Sequence, residues 1–541
     1  MSTATQPPST ATRTLVVLVA DKLDPEAATI LQDAGIEVRV QPSLSPEELL
    51  AAAADVDGIL VRSAAKVTAA VIDAAPRLKA VGRAGIGVDN IDVAAASRRG
   101  IVVMNTPTAN AVTTGELALA HLFSLARRIP EAHESMRQGR WDKSKLVGTE
   151  ITSKTLGVVG LGKIGRVVAE RAVGLGMHVV AYDPFLKGES PVPGVTLVKL
   201  DALLRGSDFI TLHVPKGKDT LGLIDAAALA KMKPTAYLIN CARGGIVVED
   251  DLCAALKAGA LAGAALDVFA TEPLPADSPL RDTPHLVLTP HLGASSEEAQ
   301  KRVSTEIAQQ MADYLLNDEA RCALNAAAVP PETLAVLRPY ITLARRLGLI
   351  AAQVAEAPAE RVEIEYIGHV ADHDTKPVRA AALAGLLAPS LDGPVNVVNA
   401  EMIAHERGLK VMENHDASGR SDYAALLKVR VFDAEGRQHM AGGSVFRGQP
   451  RLMLFEDVGV DFAPEGHLLM TRHDDAPGVL GQMAGVLGEL GVNIGGMHMA
   501  PGASPDQPAL ALFGIDRALS ADEERRITDL PALRAARSIT L

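Results

Sequence analysis

Thr155-Leu156-Gly157-Val158-Val159-Gly160-Leu161-Gly162-Lys163-Ile164-Gly165 decides the fold, together with Met177-His178-Val179-Val180-Ala181-Tyr182 and the Asp183 that follows. An apolar run leads into a G-x-G-x-x-G at Gly160, Gly162 and Gly165. Arg166 to Val173 reads as a helix and Met177 to Tyr182 as a second strand. Each glycine has a job in that layout. Gly160 permits a tight strand-to-helix turn, Gly162 lets a pyrophosphate approach the backbone, and Gly165 lets the helix lie close to the strand. The helix N-terminus offers unpaired N–H groups and partial positive charge to the phosphates. Asp183 falls about 20 residues beyond Gly160, the spacing of an acid that accepts from ribose hydroxyls. A carboxylate there repels the 2′-phosphate of NADP, and no arginine follows directly, so the expected cofactor is NAD. With 46 glycines in the chain the motif alone is weak. Strand, glycines, helix, strand and acid in order set it apart from a plain βα turn.

Outward from that stretch, strands alternate with helices on both sides. Upstream, Thr14–Ala20, Ile36–Val40, Gly58–Val61, Leu78–Gly82 and Val102–Pro107 read as strands or their ends, with helices at 25–34 and 46–54. A long helix is expected over about 114–137. Downstream, strands are expected at Phe209–Pro215, Ala236–Asn240, Leu261–Val268 and Leu286–His291, then a long helix over 295–316. Such alternation argues two doubly wound parallel sheets in an α/β protein. The last long helix is expected to return to the first unit, so that the dinucleotide unit is inserted in it. Residues 317–331 change composition and read as a linker. An α+β region without a readable chemical motif follows: a helix over 332–355, then strands at 362–366, 395–399, 426–432, 439–446 and 451–456. From Gly466 the order is βαββαβ, a ferredoxin-like pattern. The expected units are 1–13 (a disordered N-terminus), 14–110 with 296–320, 111–295, 321–465 and 466–541.

At 541 residues the chain is too long for one core. A net charge of −12 and 3% aromatic residues argue against a nucleic-acid binder, which needs a basic face and stacking platforms. No run of 18 apolar residues marks a membrane span, and no signal-peptide pattern opens the chain. Cys241, Cys253 and Cys322 have no metal-ligand spacing, so no metal is expected and a reduced, cytoplasmic setting is.

Polar residues recur where the strands run out, which is where ligands bind in such sheets. Arg62 and Arg83, with the glycine turn Gly85-Ile86-Gly87, read as an anion site. Three strand-end residues suit hydride chemistry on a 2-hydroxy acid. His291 can take the hydroxyl proton, Glu272 can orient the imidazole, and Arg243 can fork onto a carboxylate. His213 also ends a strand and is the competing base, without an evident acid partner.

Residues 81–90 (VGRAGIGVDN), the turn 160–165, 240–245 (NCARGG), 265–269 (ALDVF) with Glu272-Pro273, and 290–294 (PHLGA) together resemble the D-2-hydroxyacid dehydrogenase family, in its long form. The resemblance covers nearly the whole chain. It implies a Rossmann NAD domain inserted in a flavodoxin-like substrate domain, followed by an intervening domain and an ACT domain. The activity it implies is oxidation of 3-phospho-D-glycerate to 3-phosphohydroxypyruvate with NAD, the first step of L-serine synthesis. Arg243, Glu272 and His291 carry over as catalytic residues. Lys163, Ile164, Asp183, Val214, Cys241, Ala242, Arg243, Asp267, His291, Gly293 and Ala294 carry over as cofactor contacts, with Ile86 and Val214 standing where relatives often have hydroxyl residues. Arg62, Ser63, Arg83, Gly85 and Asn110 match substrate positions. In the ACT-like unit His473, Asp475 and Asn493 match a ligand loop and second strand, which implies L-serine as feedback inhibitor. A homotetramer is implied as well. Two other readings stay open here: a dehydrogenase for another 2-hydroxy acid such as glyoxylate or hydroxypyruvate, and a non-catalytic NAD-sensing partner protein.

Overall fold

The computed structural model describes residues 13–541, apart from 328, 356, 392, 419–423, 457 and 502–507. Residues 1–12, the greater part of the expected disordered terminus, lie outside the described residues.

Four sheets organise the chain. The first has five parallel strands in the order Glu37–Val40, Val16–Val19, Gly58–Val61, Ala80–Arg83, Val102–Asn105. Its central strands are apolar along their whole length and buried, as expected of a parallel sheet covered on both faces. One covering helix is Glu297–Asn317, capped by the Ser296 side chain. Its Val303, Ile307 and Met311 share a core with Val17, Leu60 and Ala80. The chain therefore leaves this sheet after Asn105 and returns to it almost two hundred residues later.

Between those crossings lies a seven-stranded parallel sheet in the order Leu286–Leu288, Gly263–Leu266, Tyr237–Asn240, Phe209–Leu212, Thr155–Val159, His178–Tyr182, Val195–Leu197. The strand order reverses direction between Thr155–Val159 and Phe209–Leu212, and a ligand crevice opens at such a point. The doubly wound fold expected of both units is observed.

The single helix expected over 114–137 is two, Ala111–Ala126 and Ile129–Arg137, separated by a left-handed Arg128. Pro130 is the cause. Its ring would clash with the carbonyl of Ala126, and it has no N–H to give. That carbonyl instead accepts from the Thr149 N–H at 2.7 Å, and Pro130 sits in the first turn of the second helix, where a missing N–H costs little.

The third sheet is mixed, in the order Lys410–Asp416, Arg361–Gly368, Ala425–Phe432, Gln438–Phe446, Gln449–Phe455, Val458–Phe462. Helices Pro331–Val354 and Lys376–Leu387 cover its apolar face. The strand expected at 395–399 is a turn leading into helix Ala400–Glu406. Asn396 Oδ1 accepts from the Val398 N–H and Asn399 Oδ1 from the Asn396 N–H, both at 2.9 Å. Local side-chain bonds of this kind outcompete a ladder. The segment read as a linker is partly ordered on the first sheet. The Leu324 N–H donates to the Val103 carbonyl at 2.8 Å, and Asn325 bonds Val103 and Ile101.

The fourth sheet is antiparallel, ordered Ile494–Ala500, Ala509–Ile515, His467–His473, Leu533–Thr540, with helices Val479–Glu489 and Ala521–Thr528 on one face. This is the expected ferredoxin-like unit. Leu468, Met470, Leu510, Leu512 and Ile539, on its other face, join the core of the third unit.

Candidate active site

The glycine elbow has the steric signature its sequence implied. Gly160 has φ +91°, and a Cβ there would lie 2.6 Å from the His213 carbonyl oxygen. A Cβ on Gly165 would lie 2.0 Å from the Gly160 oxygen, so only glycine lets helix Lys163–Gly174 start this close to its strand. A Cβ on Gly162 would meet nothing within 4 Å, which leaves open space above the helix N-terminus. Asp183 Oδ2 accepts from the Leu161 N–H at 2.9 Å and Oδ1 from the Phe185 N–H at 3.0 Å. The acid thus braces the turn from the end of the neighbouring strand. These residues fit a dinucleotide: room for the pyrophosphate, N–H groups to hold it, and a carboxylate at the ribose position.

Beside the elbow, between the first two sheets, lies a cleft of about 440 Å³. Lys163, Ile164, Val214, Cys241, Ala242, Arg243, His291, Gly293 and Ala294 line it from the second unit. Arg83, Ile86, Gly87, Asp89 and Asn110 line it from the first or from the first crossing. Burial, reinforced by the charge of Asp267, raises the Cys241 thiol well above its ordinary pKa, so it is neutral.

His291 and Glu272, both on loops after strands, meet here. His291 Nδ1 is 2.6 Å from Glu272 Oε2, and Glu272 Oε1 accepts from the Phe269 N–H at 3.0 Å. Burial pushes the Glu272 carboxyl up. The bonds from His291 and Phe269 outweigh this and hold it below the usual carboxylate range. Glu272 is therefore an anion that accepts from Nδ1, which leaves Nε2 for the substrate. Asn240 supports the Arg243 loop, donating to the Arg243 carbonyl at 3.0 Å and accepting from the Ala242 N–H at 3.0 Å. The Arg243 guanidinium crosses to the first unit, where Nε donates to Asp89 Oδ2 at 3.1 Å. A Cβ on Gly87 would lie 1.7 Å from Arg243 Nη2, so a side chain there would exclude the arginine.

Arg83 lines the same cleft. Burial, and then the charges of Arg243 and Arg62, lower its pKa to about 10. Several cations crowded in this way suit a substrate with more than one negative charge. The Arg83 Nε donates to the Arg62 carbonyl at 2.9 Å. Buried Asp21 fixes the Arg62-Ser63 loop by accepting from the N–H groups of Arg62, Ala64 and Ala65. Ser63 is exposed and Gly85 buried. Asn110 Oδ1 is buried without a hydrogen-bond partner among the described residues, an acceptor left for a ligand.

The competing base fares differently. His213 Nε2 is 2.9 Å from Thr211 Oγ1, while Nδ1 is inaccessible and has no partner among the described residues. Burial drives its pKa down to about 3.

Asp267, expected as a cofactor contact, is fully buried. Its oxygens accept from the N–H groups of Leu292 (2.7 Å) and Gly293 (2.9 Å) and from the Thr289 hydroxyl (2.6 Å). Its place is behind the His291 loop rather than on the cleft wall. Asp89 and Asn240 were not singled out from the sequence. Asp89 sits in the quoted 81–90 motif, the one signal that could have found it. In the ACT-like unit His473 is buried, its pKa lowered by burial, while Asp475 and Asn493 are exposed.

Fold and site together define an NAD-dependent oxidoreductase of the D-isomer-specific 2-hydroxyacid dehydrogenase class. Residues 119–293 match the NAD-binding domain model of that class, and residues 336–456 match the D-3-phosphoglycerate dehydrogenase intervening domain. A D-3-phosphoglycerate dehydrogenase of Synechocystis is 42% identical, over 97% of this chain and 94% of its own length. That of Methanocaldococcus jannaschii is 39% identical over 97% and 99%. The chain belongs to the D-3-phosphoglycerate dehydrogenase family. Among solved structures, an NAD-dependent formate dehydrogenase of Staphylococcus aureus in complex with NAD is 32% identical, with a TM-score of 0.51, over 56% of this chain and 96% of its own. The TT0316 protein of Thermus thermophilus is 35% identical, with a TM-score of 0.54, over 57% and 100%.

Proposed function

We propose that the cleft oxidises 3-phospho-D-glycerate to 3-phosphohydroxypyruvate, with His291 as general base and Arg243 as carboxylate clamp. The observation that carries this is the 2.6 Å bond between His291 and Glu272, on the same cleft wall as Arg243 and the glycine elbow. NAD supplies acceptance of the hydride that leaves the substrate carbon. His291 Nε2 takes the hydroxyl proton, and Glu272 stabilises the resulting imidazolium through Nδ1. The Arg243 fork holds the substrate carboxylate and polarises the forming carbonyl. Asp89 is the carboxylate already on Arg243, so substrate binding exchanges one carboxylate for another. Arg83, with Arg62 behind it, and Asn110 face the phosphate end. Lys163 and Ile164 would hold the cofactor at the elbow, with Asp183 accepting from its ribose, and Cys241, Ala242, Val214, Gly293 and Ala294 would form the walls around it.

In this reading L-serine binds the fourth unit at His473, Asp475 and Asn493 and inhibits turnover. The chain assembles as a homotetramer and works in the cytoplasm as the first step of serine synthesis. Among the described residues no helix is long and apolar enough to cross a membrane.

The test follows NADH absorbance with phosphohydroxypyruvate and then with glyoxylate, each with and without L-serine. Turnover of the phosphorylated acid, slowed by serine, is expected. Preference for glyoxylate moves the assignment to another 2-hydroxy acid. No turnover of either leaves an NAD-binding partner protein, and turnover indifferent to serine removes the regulatory part alone.

A further inference from the structure

His291 has a left-handed backbone, φ 54°, a strained conformation for a residue with a side chain that persists only where neighbours impose it. The imposing contacts lie behind the cleft. Asp267 gathers the N–H groups of Leu292 and Gly293 and the Thr289 hydroxyl. Because that hydroxyl gives its proton to Asp267, it can only accept from His121 Nε2, 3.1 Å away. This fixes the Nε2–H tautomer of His121, which burial keeps neutral. Thr114 Oγ1 donates to the Gly293 carbonyl at 2.8 Å. Thr114 and His121 are both buried, and both lie on helix Ala111–Ala126. They are seven residues apart, two turns, so they share one face. That helix begins at the first crossing, directly after Asn110. The second crossing begins directly after the His291 loop, and Thr113 Oγ1 lies 3.4 Å from Ser296 Oγ across it.

We propose that Thr114 and His121 are positioning residues for His291: they staple the loop 289–293 to the helix that carries the first crossing. Neither touches the reacting atoms as a catalytic group. Their effect is to hold Asp267 and the loop in one arrangement, so that Nε2 of His291 points at the substrate hydroxyl. A displacement of about 1 Å at a catalytic group can cost about a hundredfold in rate.

This inference rests on the reading of His291 as the base, and two readouts keep them apart. The first is amide hydrogen exchange of the full chain at 289–296, which needs no turnover. Thr114→Val and His121→Leu are expected to raise exchange there at least about tenfold, since the loop loses its tie to the helix and opens away from Asp267 more often, while exchange at the glycine elbow stays unchanged. The second is kinetics with phosphohydroxypyruvate. Each variant is expected to lose about tenfold or more in kcat with the KM for NADH within about twofold. A larger isotope effect from deuterated NADH is expected too, because chemistry becomes slower than product release. Thr114→Ser, which keeps the hydroxyl, is expected to restore both readouts. The double variant is expected to lose less than the product of the single losses, since both residues hold one loop. If His121→Leu fails to fold, Thr114→Val and Thr114→Ser decide alone. Unchanged exchange at 289–296, or a Thr114→Ser variant as impaired as Thr114→Val, overturns the inference. Raised exchange with unchanged kcat leaves the staple as structure only and overturns its positioning role. Raised exchange in the variants beside a wild-type protein that turns over neither substrate overturns the proposed function instead.

Discussion

His291 and His213 both follow strands of the same parallel sheet and line the same cleft, yet only one has the surroundings the proposed base needs. His291 stands half exposed with a carboxylate on its far nitrogen. Among the described residues His213 has no charged partner, one nitrogen on a threonine hydroxyl and the other sealed in. An imidazole that cycles through its cation needs a counter-charge and access. The Glu272 loop supplies the first and the cleft mouth the second, while around His213 burial makes the cation prohibitive. Position after a strand nominates a residue in a doubly wound fold, and the local electrostatics select among the nominees.

The comparison can be broken by substitution. The largest expected effect is from His291→Ala, which should lower kcat by about 10³-fold, within the 10²–10⁴ range of a lost general acid–base group. Arg243→Ala should cost about 10²-fold or more in kcat/KM for the hydroxy acid, because a carboxylate loses its bidentate partner. Steady-state kinetics against both substrates checks each. Glu272→Gln keeps the shape but removes the counter-charge, and about 10- to 100-fold in kcat should go with it. The reverse outcome, a crippled His213→Gln beside an active His291→Ala, would exchange the roles. His213→Gln itself should stay within a few-fold of wild type.

The smallest effects concern pH. The folded pKa of His213 lies near 3, below its ordinary value of about 6.5. The unfolded chain therefore binds a proton that the folded one refuses between those values. Stability from this group is complete above about pH 6.5 and falls as pH drops towards 3. Thermal melting of His213→Gln should thus depend less steeply on pH in that window than wild type. Glu272 has the same sign in a lower window. Its contribution holds above the ordinary carboxylate pKa and fades as pH falls through the depressed folded value.

The two histidines also measure what the sequence could say. The elbow was legible because its residues are contiguous, and Gly160, Gly162 and Gly165 each meet the steric condition their spacing implied. Arg243, Glu272 and His291 were legible as strand-end residues and as motif matches. Their ranking over His213 already rested on Glu272 as acid partner, and the folded chain brings that residue, 19 positions from His291, to 2.6 Å. Asp267 was expected as a cofactor contact from the motif resemblance alone, and its three donors show that it also faces inward, behind the His291 loop. His121 drew no notice, since a lone histidine on an apolar helix reads as core. Asn396 and Asn399 hid a turn inside a valine-rich run that resembles a strand, because side-chain-to-backbone bonds leave no periodic trace. Pro130 was visible, but whether a proline ends one helix or opens the next depends on where the chain must go.

In this account His291 performs the proton transfer and adds little to the affinity for the cofactor. The most direct measurement takes one variant, His291→Ala, and determines both NADH binding by fluorescence titration and turnover of phosphohydroxypyruvate. The expected result is an NADH dissociation constant within about twofold of wild type and a kcat about a thousandfold lower. Retention of wild-type turnover, or loss of NADH binding in step with activity, would contradict it.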